Sequence, residues 1–310
     1  MDALQSNRRQ FLKLLGTTAV IGSVAPDTLA LPRLFPPKTT QLTILHTNDV
    51  HSRLDPFPMD GSRNAGKGGV ARRTTLIERI RQEQKNVLLF DAGDLFQGTP
   101  YFNVFKGEPE VLAMNRMGYD ASTIGNHDFD AGMDNMRTQF RKASFPFLIA
   151  NYDFKDTVME GQTQRYKVFK KDGVKIGVFG LGIALEGLVP KSLYEETRYL
   201  DPIEAGNNAA AILKNNEVCD YVVCLSHLGF KYQGPEVSDH VLAAQSRDID
   251  LIIGGHTHTF LEAPVSVPNQ NGKPVLINQV GFAGIYLGRI DLTFERGKDA
   301  QAKGQAVEVK

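Results

Sequence analysis

Along this chain, short unbroken apolar runs alternate with stretches whose apolar positions recur at helical spacing. Leu42–Thr47, Val87–Asp91, Ala121–Ile124, Tyr221–Leu225 and Ile249–Ile253 read as β-strands. Phe147–Ala150, Tyr166–Phe169, Val174–Gly180, Pro274–Asn278 and Ile285–Phe294 add further strand patterns. Gly69–Gln84 has a helical pattern, with Val70, Leu76, Ile77 and Ile80 apolar and charges between them. Glu108–Met117, with Pro109 in its first turn, is a second predicted helix. Ala131–Lys142, Ile203–Asn215 and Glu236–Ser246 are three more. Lys171-Asp172-Gly173 between two strand runs predicts a hairpin turn. Alternating strand and helix units followed by late strands predict an α/β fold of mixed sheets with helices outside.

Each of the first five runs is followed by a short polar motif: Asp49-Val50-His51, Gly93-Asp94, Gly125-Asn126-His127-Asp128, Ser226-His227 and Gly255-His256-Thr257-His258. Five of the seven histidines lie in these motifs. An α/β sheet gathers the carboxyl ends of its strands on one edge, so residues some 200 positions apart can converge there. Imidazole nitrogens with carboxylate and amide oxygens suit Zn, Mn, Fe or Co better than Ca or Mg. Asp49 and His51 are two apart, as are His256 and His258, so each pair shares a face on extended backbone. Glycines before Asp94, Asn126 and His256 permit sharp turns and close approach to a substrate. Seven candidate donors exceed one four-coordinate site and fit two metals sharing a carboxylate.

The ordered series D-x-H, GD, GNHD, SH and GHTH resembles the calcineurin-like metallophosphoesterase superfamily. Thr47–His51, Asp91–Thr99, Gly125–Asp130 and Gly68-Gly69-Val70-Ala71-Arg72 are similar to its 5′-nucleotidase branch, over roughly residues 40–295. The resemblance implies a four-layer αββα β-sandwich flanked by helices, with the site at one sandwich edge. It implies two divalent transition metals: one on Asp49, His51, Asp94 and His258, the other on Asp94, Asn126, His227 and His256, with Asp94 bridging. It gives His127 a catalytic role, paired with Asp130, at the phosphoryl group or leaving oxygen. A metal-bridging hydroxide would be the nucleophile.

Composition narrows the alternatives. Lys+Arg and Asp+Glu are both 35, so there is no basic surplus of the kind a nucleic-acid binder carries. Asn7-Arg8-Arg9-Gln10-Phe11-Leu12-Lys13 resembles a twin-arginine export signal, with cleavage expected after Ala30 and a periplasmic or otherwise exported product. The apolar stretch Leu14–Ala25 is too short to span a membrane. The expected organisation is a signal peptide over 1–30, a Pro-rich linker over 31–40, a catalytic domain over 41–296 and a C-terminal tail over 297–310. Cys219 and Cys224 flank a strand pattern about 16 Å long, too far apart for a disulfide, and are expected to be buried and free. The 5′-nucleotidase branch usually has a second domain that holds the nucleotide, and no residues beyond the second sheet are expected to supply it here.

The leading expectation is therefore an exported phosphomonoesterase acting on a nucleotide. The alternatives are a cyclic or sugar-nucleotide phosphodiesterase, an enzyme of the family's sulfate-releasing branch, a catalytic subunit dependent on a separate nucleotide-binding partner, and a non-catalytic binder. Around the site, Asp130 is either an N-cap for the following helix or the partner of His127, and Asp128 is its rival for that pairing. Asp91 either supports the loop carrying Asp94 or braces a ligand histidine, the latter preferred. His46 is expected to be a packed residue, His240 a surface one, and Arg72 and Arg73 solvated after the Gly68-Gly69 turn.

Overall fold

A computed structural model describes residues 39–310. The expected signal peptide and nearly all of the expected linker lie outside them. The strands are β1 (Thr39–Thr47), β2 (Val87–Asp91), β3 (Ala121–Ser122), β4 (Tyr152–Asp153), β5 (Tyr166–Lys171), β6 (Val174–Leu181) and β7 (Arg198–Tyr199). They continue as β8 (Tyr221–Ser226), β9 (Leu251–Gly254), β10 (Val265–Pro268), β11 (Pro274–Asn278), β12 (Tyr286–Glu295) and β13 (Gln301–Glu308). The helices are α1 (Val70–Glu83), α2 (Pro100–Phe105), α3 (Glu108–Met117), α4 (Met133–Phe140), α5 (Lys191–Tyr194), α6 (Pro202–Ala211) and α7 (Asp239–Gln245).

Two sheets dominate. One has the order β13-β12-β1-β2-β3 and the other β10-β11-β9-β8-β6-β5. Strand alternation explains why they stack. Along β8, Tyr221, Val223 and Leu225 join Leu42, Ile44, Leu88 and Phe90 of the first sheet in one shared apolar layer. Val222 and Cys224 point the other way, onto α6 and α7 through Ala209, Ala210, Leu242 and Ala243. On the far side of the first sheet, Leu45 and Leu89 meet α1 and α3 through Leu76, Ile77, Ile80, Val111 and Met114. The result is the expected four-layer αββα sandwich. Removing the ring of Phe90, fully buried in the shared layer, would cost roughly 3–5 kcal/mol.

Four expectations change. Thr39 and Thr40, assigned to the linker, already pair with Glu295 and Phe294 of β12. Residues 297–310, expected as a tail, carry β13, an edge strand antiparallel to β12. Phe147–Ala150 is extended but builds no ladder. Its backbone bonds go in turn to Ser122, Gln164 and Gly180, because it crosses from one sheet to the other. Arg73 is buried, whereas Arg72 is exposed as expected. The hairpin at Asp172-Gly173 forms with both residues at positive φ, as a two-residue turn of that twist requires. Cys219 and Cys224 are buried and free. Among the described residues no helix is long and apolar enough to cross a membrane.

What positions the site is strand direction. β1, β2 and β3 run parallel, with Thr47, Asp91 and Ser122 side by side at their ends. In the other sheet β6, β8 and β9 run parallel, and Ser226 pairs with Gly254 at the end of β8 and β9. The polar motifs follow directly after these positions and meet at one edge.

Candidate metal centre

The loops after β1 and β9 bring Asp49, His51 and His258 within ligand distance of one another; those after β2, β8 and β9 do the same for Asp94, His227 and His256. The two groups adjoin. Asp94 Oδ2 lies 3.1 Å from His227 Nε2 and 3.8 Å from His51 Nε2. Asp49 Oδ1 is 3.4 Å from His258 Nε2 and 4.0 Å from the Nε2 atoms of both His51 and His227. His256 Nδ1 is 2.9 Å from Asn126 Oδ1. All seven expected donors are thus brought together.

Several of the donor atoms face one another across the site. His51 Nε2 and His258 Nε2 are 3.0 Å apart. His227 Nε2 is buried and faces the Asp94 carboxylate, while its Nδ1 is 2.7 Å from the Ala92 carbonyl, which leaves Nε2 for the centre. Buried nitrogens and carboxylates converging in this way are suited to a cation. Charge tells the same story. Burial opposes protonation of His227, but Asp94 and then Asp49 outweigh it and raise its pKa to about 10. His256 is lowered to about 4, by burial first and then by the neighbouring His227. Burial works against ionisation of Asp94 as well, yet the histidine charges, His227 foremost, hold it below the usual carboxylate range. The carboxylates call for positive charge, and divalent ions on these nitrogens and oxygens meet that demand.

Backbone conformation aims the donors. Asp49, His51, Asp94, His256 and His258 all adopt positive φ, a sparsely used region for non-glycine residues that clusters at functional sites. Two glycines matter for space. A Cβ on Gly125 would lie 2.2 Å from Asp94 Oδ1, and one on Gly255 2.8 Å from both the Ala92 carbonyl and His227 Nδ1.

Hydrogen bonds then fix the loops. Asp128 Oδ2 accepts from the N–H groups of Gly125 (2.8 Å) and Asp94 (3.2 Å), and Oδ1 from those of Leu95 (2.9 Å) and Phe96 (3.2 Å). Asp128 therefore ties the Asp94 loop to the Asn126 loop and does not pair with His127. That pairing belongs to Asp130, whose Oδ2 is 2.8 Å from His127 Nδ1. The same bond is the main reason the His127 pKa is raised. Asp130 is not an N-cap, since the cap residue of α4 is Gly132. Asp91 accepts from Thr47 Oγ1 (2.6 Å), Gly93 N–H (3.0 Å) and Ser122 Oγ (3.1 Å). It supports the loop, contrary to the preferred expectation that it braces a histidine. His46 is buried in β1 with Nε2 accepting from Asn278 Nδ2 at 2.9 Å, a packed residue as expected. His240 is half-buried, its ring edge-on to Phe230.

Three supporting residues were not anticipated. Asn48 donates to Asp49 Oδ2 and to the Gly281 carbonyl, both at 2.6 Å. Gln279 braces the His256 loop by donating to the Gly255 carbonyl at 2.5 Å. Phe282 stacks on His258 at 5.2 Å. Asn48 lies inside a motif and Gln279 follows the end of β11, so the strand-end rule could have found both; nothing in the sequence marks Phe282.

An αββα sandwich with paired carboxylate–imidazole groups at one edge defines a metal-dependent phosphoesterase. The chain belongs to the calcineurin-like phosphoesterase family, whose model matches residues 42–260. It is 35% identical over 286 residues to a 5′-nucleotidase of Diplobatis ommata, covering 86% of this chain and 48% of that protein. A crystal structure of a 5′-nucleotidase precursor from Thermus thermophilus superposes with a TM-score of 0.77 at 32% identity, covering 87% of this chain and 55% of that one. The calcineurin-like phosphoesterase YfkN from Bacillus subtilis gives 0.71 at 27% identity, covering 88% and 92%. The chain spans about half the length of the curated relatives it matches.

Proposed function

We propose that this chain is an exported phosphomonoesterase of 5′-nucleotidase type with a dinuclear metal centre. The observation that carries the reading is the pair of adjoining donor groups, with Asp94 within reach of both and the His127–Asp130 pair joined to them. One ion would be held by Asp49, His51, Asp94 and His258, and the other by Asp94, Asn126, His227 and His256. Bound there, the ions supply Lewis acidity toward the phosphoryl oxygens and make water nucleophilic near neutral pH.

The rest is done by the chain's own groups. His127 N–H donates to Asp94 Oδ1 at 2.9 Å and so fixes that carboxylate's orientation. With Nδ1 committed to Asp130, the other ring nitrogen of His127 is available to the substrate. Asp130 favours the protonated ring, which can stabilise charge on the phosphoryl group and give its proton to the leaving oxygen. Residues 1–30 would serve as the export signal, on the strength of the Arg8-Arg9 motif, with a short Pro-rich linker before the domain. A second reading is that a separate polypeptide completes nucleotide selectivity.

The deciding experiment assays the purified, metal-loaded mature chain on nucleoside monophosphates, cyclic nucleotides, sugar nucleotides and aryl phosphates, with and without co-purifying protein. Monoester hydrolysis is expected, with weak preference among bases. Turnover of diesters alone would move the assignment to a phosphodiesterase. No turnover of any ester by protein carrying both metals would refute it, and selectivity gained only with a partner would favour the second reading.

A further inference from the structure

A cavity of about 220 Å³ opens beside His258. Phe282 stacks on the His258 ring with only 13° between their planes, so aromatic surface continues from the donor group into the cavity wall. Phe260, two residues after His258, packs on Tyr286 with ring centroids 4.4 Å apart, and both line the same cavity. Phe260 nevertheless stays 47% exposed. A single exposed Phe needs no explanation; three rings lining one hollow against a candidate metal ligand do. Two cations also line the cavity. Lys67 is tied to Glu308 at 3.2 Å, whereas Arg63 is exposed and makes no ion pair among the described residues. A planar guanidinium stacks on aromatic rings and bases as well as pairing with anions.

We propose that this cavity is a leaving-group subsite that stacks the base of a nucleotide on the open face of Phe260, with Arg63 closing over it from the rim. The inference rests on the 5′-nucleotidase reading and adds to it that the described domain carries its own base-binding surface. Stacking is tolerant of base identity because every base has a π-face. The subsite should therefore distinguish a substrate with a base from one without, and barely distinguish bases from one another.

Adenosine 5′-monophosphate and ribose 5-phosphate test this directly, since both release a primary 5′-alkoxide and differ in the base. The metal-loaded mature protein should prefer the nucleotide by about tenfold in kcat/KM, through KM, with other nucleoside monophosphates within a few-fold. Phe260→Ala should bring the ratio close to one. Phe260→Leu, which keeps apolar bulk and removes the π-face, should do nearly the same, and Phe260→Tyr should keep the preference. A wild-type ratio near one, or a ratio unchanged in both Phe260→Ala and Phe260→Leu, would overturn the proposal. Adenosine binding followed by saturation-transfer NMR gives a readout without turnover. Binding that is lost in Phe260→Leu, in a protein that hydrolyses neither ester, would leave the subsite standing and remove the nucleotidase reading. Equal turnover of both esters without adenosine binding would do the reverse.

Discussion

Gly125→Ala isolates how closely the site is packed. The φ of Gly125 is not positive, so alanine is not forced into the left-handed region there. The obstacle is space: its Cβ would stand 2.2 Å from Asp94 Oδ1, 2.6 Å from Asp94 N and 2.7 Å from His227 Cε1. Ordinary contact begins near 3.4 Å, so the Asp94 carboxylate has to retreat by more than 1 Å (about a bond length) or the loop has to shift. Overpacking of this kind costs about 1–3 kcal/mol, which corresponds to a fall of roughly 2–10 °C in melting temperature. Displacing a reacting-site group by about 1 Å can cost on the order of 10²-fold in rate. Gly173→Ala is the matched control. Gly173 has φ +87° and nothing within 4 Å of its ideal Cβ, so alanine there brings strain of about 1–2 kcal/mol and no crowding of the site. Scanning calorimetry at fixed metal concentration, with kcat/KM on one phosphomonoester, should find similar stability losses in the two variants and an activity loss only in Gly125→Ala. Activity of Gly125→Ala within about threefold of wild type, well short of the expected loss, or an equal loss in Gly173→Ala, would refute the reasoning.

Protein purified without chelator should contain about two equivalents of transition metal, and Asp94→Asn should cost more metal and activity than the same change at Asp91; elemental analysis giving one equivalent, unchanged on supplementation, would rule out the shared carboxylate. His127→Ala should keep its metals and lose about 10²–10⁴-fold in rate, and a parallel loss of metal would make His127 a ligand. Because the Asp130 hydrogen bond raises the His127 pKa, Asp130→Asn should move the limb of the kcat/KM profile governed by His127 to lower pH; an unmoved limb would detach the pair from the chemistry. Burial lowers His46 to about 3, below the roughly 6.5 of an unfolded histidine, so its contribution to stability is present above about pH 6.5 and is lost as pH falls toward 3; melting temperature should decline less steeply with acid in His46→Leu, and parallel slopes would exclude the effect. Arg8→Lys with Arg9→Lys should block export, since lysine lacks the guanidinium fork, and a double variant still exported on fractionation would point to another route.

Most of the frame was legible because buried strands announce themselves. Val87–Asp91 and Pro274–Asn278 match their observed bounds, and β8 and β9 differ by a residue or two at their ends. Polar edge strands do not announce themselves. β13 reads Gln-Ala-Lys-Gly-Gln-Ala-Val-Glu, without apolar alternation, and is a strand because β12 offers it an edge. α2 is too short for a helical period to appear. Within the site, residue type and strand-end position pointed to the five motifs, and the family resemblance picked out the seven donors among them, leaving His127 and Asp128 aside. Partnership was harder to read. Asp128 and Asp130 are both acids close to His127, and only the turn at His127–Phe129 decides which carboxylate faces the ring and which reaches back to the Asp94 loop.

Chain order has a consequence for synthesis. β1 carries the first donors at its end, yet it is sandwiched between β2 and β12, and Thr43 bonds across to Asp291, 248 positions later, at 2.6 Å. The Asp49 carbonyl, in turn, accepts from Ala283 N–H at 2.7 Å. While a ribosome is still translating the message for β9, the Asp49 loop lacks the segment that locks it, and the first sheet has an open edge where β12 belongs. Such non-local pairing is slow and leaves nascent chains exposed to aggregation. The centre can close only after residues 283–295 have emerged, so ribosome stalling or premature termination between His258 and Ala283 would yield chains with every donor and no finished site.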